Sequence, residues 1–229
     1  MYWGDVDILT NDEGEKVKTK LFLIMVIVQF VLISSSWAQT DNTLKIGNQI
    51  WMVENLNVDR FRNGDPILEA KSNAAWEIAT TQRKPAWCYY GMDSTNTEKF
   101  GKLYNWYAVN DSRGIAPLGW HVPSDCEWQT LIDYLGGDSI AGGKIKEAGF
   151  SNWESPNSGV KERSGFSALP GGYRYHDGFY FKGYTAFFFS STEHSTCTAW
   201  TRLVNYNNSE VYRYFGNKWD GYSVRCVKN

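Results

Sequence analysis

From Phe166 to the C-terminus the chain is built from short, ring-rich stretches separated by turn residues. Tyr173-Arg174-Tyr175 and Phe179-Tyr180-Phe181 flank His176-Asp177-Gly178, a turn between two strands. Further strands are expected at 186–190, 199–205, 209–215 and 222–227. Within the third of these, Glu210, Tyr212 and Tyr214 alternate with Val211 and Arg213. A period of two puts Glu210, Tyr212 and Tyr214 on one face, and Thr201 and Leu203 share a face of the preceding strand in the same way. Such a pattern excludes a helical bundle and demands an antiparallel sheet in the last third. Aromatic residues make up 16% of the chain, against 21 Gly and only 6 Pro, which suits many strands joined by tight turns.

The first two-thirds read differently. Leu44-Lys45-Ile46 and Gln49 to Leu56 flank Gly47-Asn48, a hairpin signal. A short helix is expected near 74–80, and a buried one at 103–109. The clearest helix follows Pro123. Ser124 and Glu127 form a capping box, and Trp128, Leu131, Ile132 and Leu135 recur at helical spacing before Gly136-Gly137 stops the run. A second helix is expected at 143–148. Helices first and an antiparallel sheet after them define an α+β domain.

The N-terminus reads as an export signal. Lys16, Lys18 and Lys20 precede an apolar run from Leu21 to Ile33, and Ser36-Trp37-Ala38 supplies a small-x-small end. The run is shorter than the roughly 20 residues of a membrane-spanning helix. Residues 1–38 are therefore expected to be a signal segment and 39–229 a single domain, secreted, periplasmic or held at the cell surface. The acidic stretch 1–16 suits a mis-assigned start, with Val17 as the first residue. Net charge is −2, and the chain after Ala38 is formally neutral. This argues against nucleic acid and anionic membrane as partners, and no membrane insertion is expected once the signal is removed. Cys88, Cys126, Cys197 and Cys226 allow three pairings, and bridges and free thiols both remain open.

No nucleophile elbow, phosphate loop, dinucleotide fingerprint or zinc spacing is present. His121, His176 and His194 lie apart, and Glu193 and His194, adjacent on a strand, would point to opposite faces. Trp219-Asp220 and Glu154-Ser155-Pro156-Asn157 resemble calcium-lectin ligand motifs only weakly, so no metal and no cofactor is expected. The last third carries the candidate site. Thr201, Leu203, Glu210, Tyr212, Tyr214, Phe215, Asn217, Trp219 and Asp220 combine large stiff rings with polar neighbours, the composition of a recognition surface.

Six ordered segments resemble the Fibrobacter succinogenes major paralogous domain. They are Ile46 to Leu56, Gly101 to Trp106, Gly119 to Ser124, Gly165 to Arg174, and Ser190 to Glu193 together with Gly221 to Val227. The resemblance implies a C-type-lectin-like fold, with two main helices packed on twisted antiparallel sheets. Formylglycine-generating enzymes share that fold, but they use a closely spaced cysteine pair near the C-terminus. Cys197 and Cys226 are far apart in this sequence. Relatives often carry Cys at the position of Ala116, so by that resemblance Cys226 lacks its usual partner. Some proteins with this fold are diversified by retroelements. By analogy the exchangeable positions here would be Thr201, Leu203, Glu210, Tyr212, Tyr214, Phe215, Gly216, Asn217, Trp219 and Asp220, interleaved with a fixed framework. The expected function is a non-catalytic exported module whose C-terminal aromatic face binds a surface protein or glycan. An extracellular enzyme and a structural envelope protein are the alternatives.

Overall fold

A computed structural model describes residues 42–160 and 164–229. The expected signal segment lies outside the described residues. The first hairpin pairs β1 (Thr43–Ile46) with β2 (Gln49–Met52), Ile46 facing Gln49. Gly47 takes φ +58 at the first turn position, which a Cβ would disfavour. The chain then crosses β3 (Leu68–Glu69), α1 (Asn73–Thr81) and β4 (Ala86–Cys88). After these come α2 (Thr97–Phe100), β5 (Leu103–Tyr104), α3 (Trp106–Val109) and β6 (Trp120–His121). The expected helix at 103–109 is thus split. Its first residues pair with β4, and Asn105 caps the single turn that follows by accepting from Ala108 N.

Helix α4 (Asp125–Tyr134) carries the full capping box: Ser124 Oγ accepts from Glu127 N, and Glu127 Oε2 accepts from Ser124 N. Its buried face is Trp128, Leu131 and Ile132, with Leu135 just beyond. Gly136 and Gly137, at φ +106 and +93, end the run. The next helix, α5 (Asp138–Ile145), begins five residues before the expected start at 143. Gly142 and Gly143 fall inside it because their missing side chains admit close approach. A Cβ at Gly142 would meet the Glu210 carbonyl, and one at Gly143 the Gly159 carbonyl.

The last third is strand-rich, as expected: β7 (Tyr173–Arg174), β8 (Phe179–Tyr180), β9 (Thr185–Glu193), β10 (Thr198–Asn205), β11 (Val211–Asn217) and β12 (Val227–Lys228). Four sheets result, ordered β1-β2-β12-β6, β3-β4-β5, β7-β8 and β11-β10-β9. Every strand pair is antiparallel except β3 with β4, a parallel pairing that departs from the all-antiparallel expectation. The expected strand at 222–227 shrinks to its end, while Tyr222 and Ser223 make single bridges to Tyr104 and Phe188. The fold is α+β and mostly sheet.

One face of the sheet β9–β11 packs against the helices, and the other is covered around Phe189 and open toward Tyr212 and Tyr214. Ala186, Phe188, Val204 and Val211 meet Trp51, Trp128, Leu131, Ile132 and Phe166 on the helix side. Trp51 and Trp128 lie 4.9 Å apart there. Phe189 turns the other way, into a second cluster with Trp87, Tyr104, Trp106, Tyr222 and Val224. Arg225 is buried with this core. Its guanidinium donates to Asn55 Oδ1 and to the carbonyls of Met52 and Phe166, and it sits 4.5 Å from the Phe166 ring centre. A sheet backed by a close-packed core is a stiff platform, because the packed side chains behind it resist bending.

Candidate functional site: an aromatic face on the C-terminal sheet

Register determines which residues share a face. Thr201 pairs with Tyr214 and Leu203 with Tyr212 across β10 and β11, and on the other side Thr201 pairs with Phe189 and Leu203 with Phe187. Residues directly opposite each other point the same way. One row is therefore Tyr212–Leu203–Phe187, running across three strands. It continues onto the β7–β8 hairpin, where Tyr173 lies 5.0 Å from Phe187, and Tyr180 and Phe181 lie 5.8 and 6.0 Å from Tyr173. Tyr212 is 37% exposed, Tyr180 and Phe181 are exposed, and Leu203, Phe187 and Tyr173 are half-buried between them.

Tyr214 shares this face and is 53% exposed, while Phe215, opposite Trp200, belongs to the other face and is 44% exposed. Their rings stack on each other at 5.0 Å, and Phe215 stacks on His194 at 4.7 Å. His194 binds Thr198 Oγ1 through Nδ1, whereas Glu193 takes the Lys218 ammonium at 2.7 Å. The two neighbours serve different partners. Arg213 lies over the Trp200 ring at 3.4 Å and pairs with Asp125, which also receives Arg202. Burial works to raise the Asp125 pKa, but the two guanidiniums outweigh it and hold the carboxyl low.

Of the nine expected site residues, Tyr212, Tyr214 and Phe215 stand outward with Glu210, while Leu203, Asn217 and Trp219 are half-buried. Two must be corrected. Thr201 is 0% exposed: on the middle strand it is walled in between Tyr214 and buried Phe189, and its hydroxyl donates to the Tyr214 carbonyl. Asp220 is 2% exposed because its carboxyl folds back under the sheet, where Oδ2 accepts from Tyr222 Oη and Asn217 Nδ2. Burial raises its pKa to about 6 despite those hydrogen bonds. Gly216 is not exchangeable either, since any Cβ there would run into the Tyr222 ring. Sequence reasoning missed Phe187, Tyr173, Tyr180 and Phe181. Their alternation was visible, but the register that joins them to Tyr212 was not.

The four cysteines are free, Cys88 and Cys226 buried, Cys126 and Cys197 exposed. Ala116 and Cys226 lie in the same apolar cluster. Among the described residues no group of three or more His, Cys, Asp and Glu side chains gathers, and no helix is long and apolar enough to cross a membrane.

These features define a class: a small α+β domain with a rigid sheet whose outer face is lined with rings. The chain matches the model of the Fibrobacter succinogenes major domain over residues 44–228, and it belongs to that family. No curated protein and no solved structure matches it.

Proposed function

We propose that this domain is an exported, non-catalytic recognition module on a C-type-lectin-like scaffold, presenting its aromatic sheet face to a surface protein or glycan. The observation that carries this reading is the cross-strand row ending in exposed Tyr212 and Phe181 on a sheet packed from behind. Exposed rings held by a rigid frame lose little entropy on binding, and each supplies a large apolar area. The same face suits variation. Glu210, Tyr212 and Tyr214 are exposed on it, whereas the interleaved Val211 and Arg202 are buried and hold the frame. The basic and apolar N-terminal segment supports export, and an exported domain meets its ligand outside the cytoplasm.

A glycan and surface-protein array probed with the purified chain tests the reading. Binding that falls about tenfold or more in Tyr212→Ala with Tyr214→Ala is the expected result. Binding that survives the double substitution moves recognition off this face. A diversified face would also leave a reverse transcriptase and an adenine-rich near-copy beside the gene, and a neighbourhood with neither rejects that part of the proposal.

A further inference from the structure

The row is bordered by a particular set of polar groups. Tyr180 Oη donates to Asp177 Oδ1, Asn208 Nδ2 donates to Tyr212 Oη, and Glu210 stands exposed beside Tyr212. Carboxylates, amides and phenols of this kind exchange hydrogen bonds with hydroxyl groups. Most of the nearby cations are paired with carboxylates or buried. Arg213 is paired with Asp125, Lys218 with Glu193, and Lys182 with Asn96, while Arg174 is buried between Trp76 and Phe179. A polyanion would meet the Asp177 and Glu210 carboxylates on this border, and among these residues only Lys182, held by the neutral Asn96 amide, offers a half-exposed charge without a carboxylate partner.

Resting on the recognition reading above, we infer that the ligand of the row is a neutral polysaccharide lying across the strands. Its sugar rings stack on Tyr212, on the Phe187–Tyr173 pair and on Phe181, and its hydroxyls bond to Asp177, Asn208 and Glu210. Neighbouring strands are about 4.8 Å apart, so Tyr212, Leu203 and Phe187 offer an apolar track about 10 Å long before the hairpin extends it. Pyranose faces are apolar C–H surfaces with hydroxyls at the rim, complementary to a track of rings with an acceptor-rich border. The Tyr214–Phe215–His194 stack lies off this track.

The test uses the full chain in pull-down and titration with three neutral polysaccharides (a β-glucan, a mannan and a xylan), two acidic ones (a pectate and heparin), and the protein array. The variants are Tyr212→Ala, Phe181→Ala and, as an off-track control, Leu68→Ala, each checked by thermal melting. The expected result is binding to at least one neutral polymer, insensitive to salt. Tyr212→Ala and Phe181→Ala should each weaken it about tenfold, and Leu68→Ala should leave it unchanged. Binding that is confined to the acidic polymers and fades with salt overturns the inference. Binding to a protein alone, lost in Tyr212→Ala, also overturns it but leaves the recognition reading standing. Binding to nothing in either panel overturns both.

Discussion

Asp220 brings a carboxyl into a wall of rings. Tyr222 and Asn217 bond one of its oxygens, and the other, Oδ1, is buried without a partner. Burial raises its pKa from 3.8 to about 6, so between those values the folded chain keeps a proton that the unfolded chain has released. The resulting stability is fully present below pH 3.8 and is lost as pH rises through 6. Above pH 6 the native state carries a buried, half-satisfied anion that costs up to about 3 kcal/mol. Asp220→Asn keeps the shape and an acceptor for Tyr222 while removing the charge. It is expected to be more stable than the parent at pH 7, by about 1–3 kcal/mol, and to lose that advantage by pH 4. Urea melts across pH 4 to 7 measure the difference. A constant gap at every pH would show that ionisation of Asp220 plays no part. Other carboxylates held low by their partners, Asp125 and Glu127 among them, act in the opposite direction, but they cancel when the two proteins are compared at one pH.

Among the elements, α4 is the most self-contained. Its capping box joins Ser124 and Glu127 over three residues, and Glu127 Oε1 also holds His121 Nε2 at 2.7 Å, tying the helix start to β6. Ser124→Ala removes the acceptor for Glu127 N and should cost about 1 kcal/mol, read as a lower urea midpoint with an unchanged slope. A loss within error would mean that Glu127 and its other contacts hold the helix start alone. This locality is why α4, the Gly47 hairpin and the Tyr173–Tyr180 hairpin were legible from sequence, since each is encoded within a dozen residues. Strands β3, β4 and β6 were not legible. They are two or three residues long, and they exist because distant partners meet them: Trp87 opposite Tyr104, Val227 opposite His121. Helix α5 was placed too late: the expected helix opens at Gly143, whereas Gly142 and Gly143 lie inside a helix that starts at Asp138, where no side-chain cap marks the beginning. The smallness of these two glycines serves a tight approach to Glu210 and Gly159. At the candidate site the outward Tyr212 and Tyr214 followed from period two, and the exposed Phe215 from the turn-rich stretch 215–220. The inward fate of Thr201 and Asp220 depended on what covers the sheet, which alternation along one strand does not record.

Across the whole molecule the thiols report on how the layers close. Cys88 sits beside Trp76 and Leu103 in the small cluster under α1, and Cys226 sits in the larger cluster with Trp106 and Val224. Both are fully buried, and burial pushes both thiols up to about 12, overriding the nearby Arg174 and Arg225 that would lower them. Cys126 on α4 and Cys197 between β9 and β10 are exposed. Because the thiolate is the reactive form, the buried pair is doubly protected, by exclusion of reagent and by the cost of ionising. The buried pair should therefore react only through opening of the core, while the exposed pair reacts directly. A thiol-reactive chromophore added to the native, reduced protein should label two of the four cysteines promptly, with mass spectrometry placing the label on Cys126 and Cys197. All four should label in denaturant. Since Cys88 and Cys226 belong to different clusters, their slow rates also distinguish two modes of opening. Equal rates that track global stability mean that the layers unfold as one cooperative unit. Faster labelling of Cys88 means that α1 and its sheet detach first, leaving the aromatic face and its backing intact. Prompt labelling of all four would contradict the packing that stiffens the aromatic face.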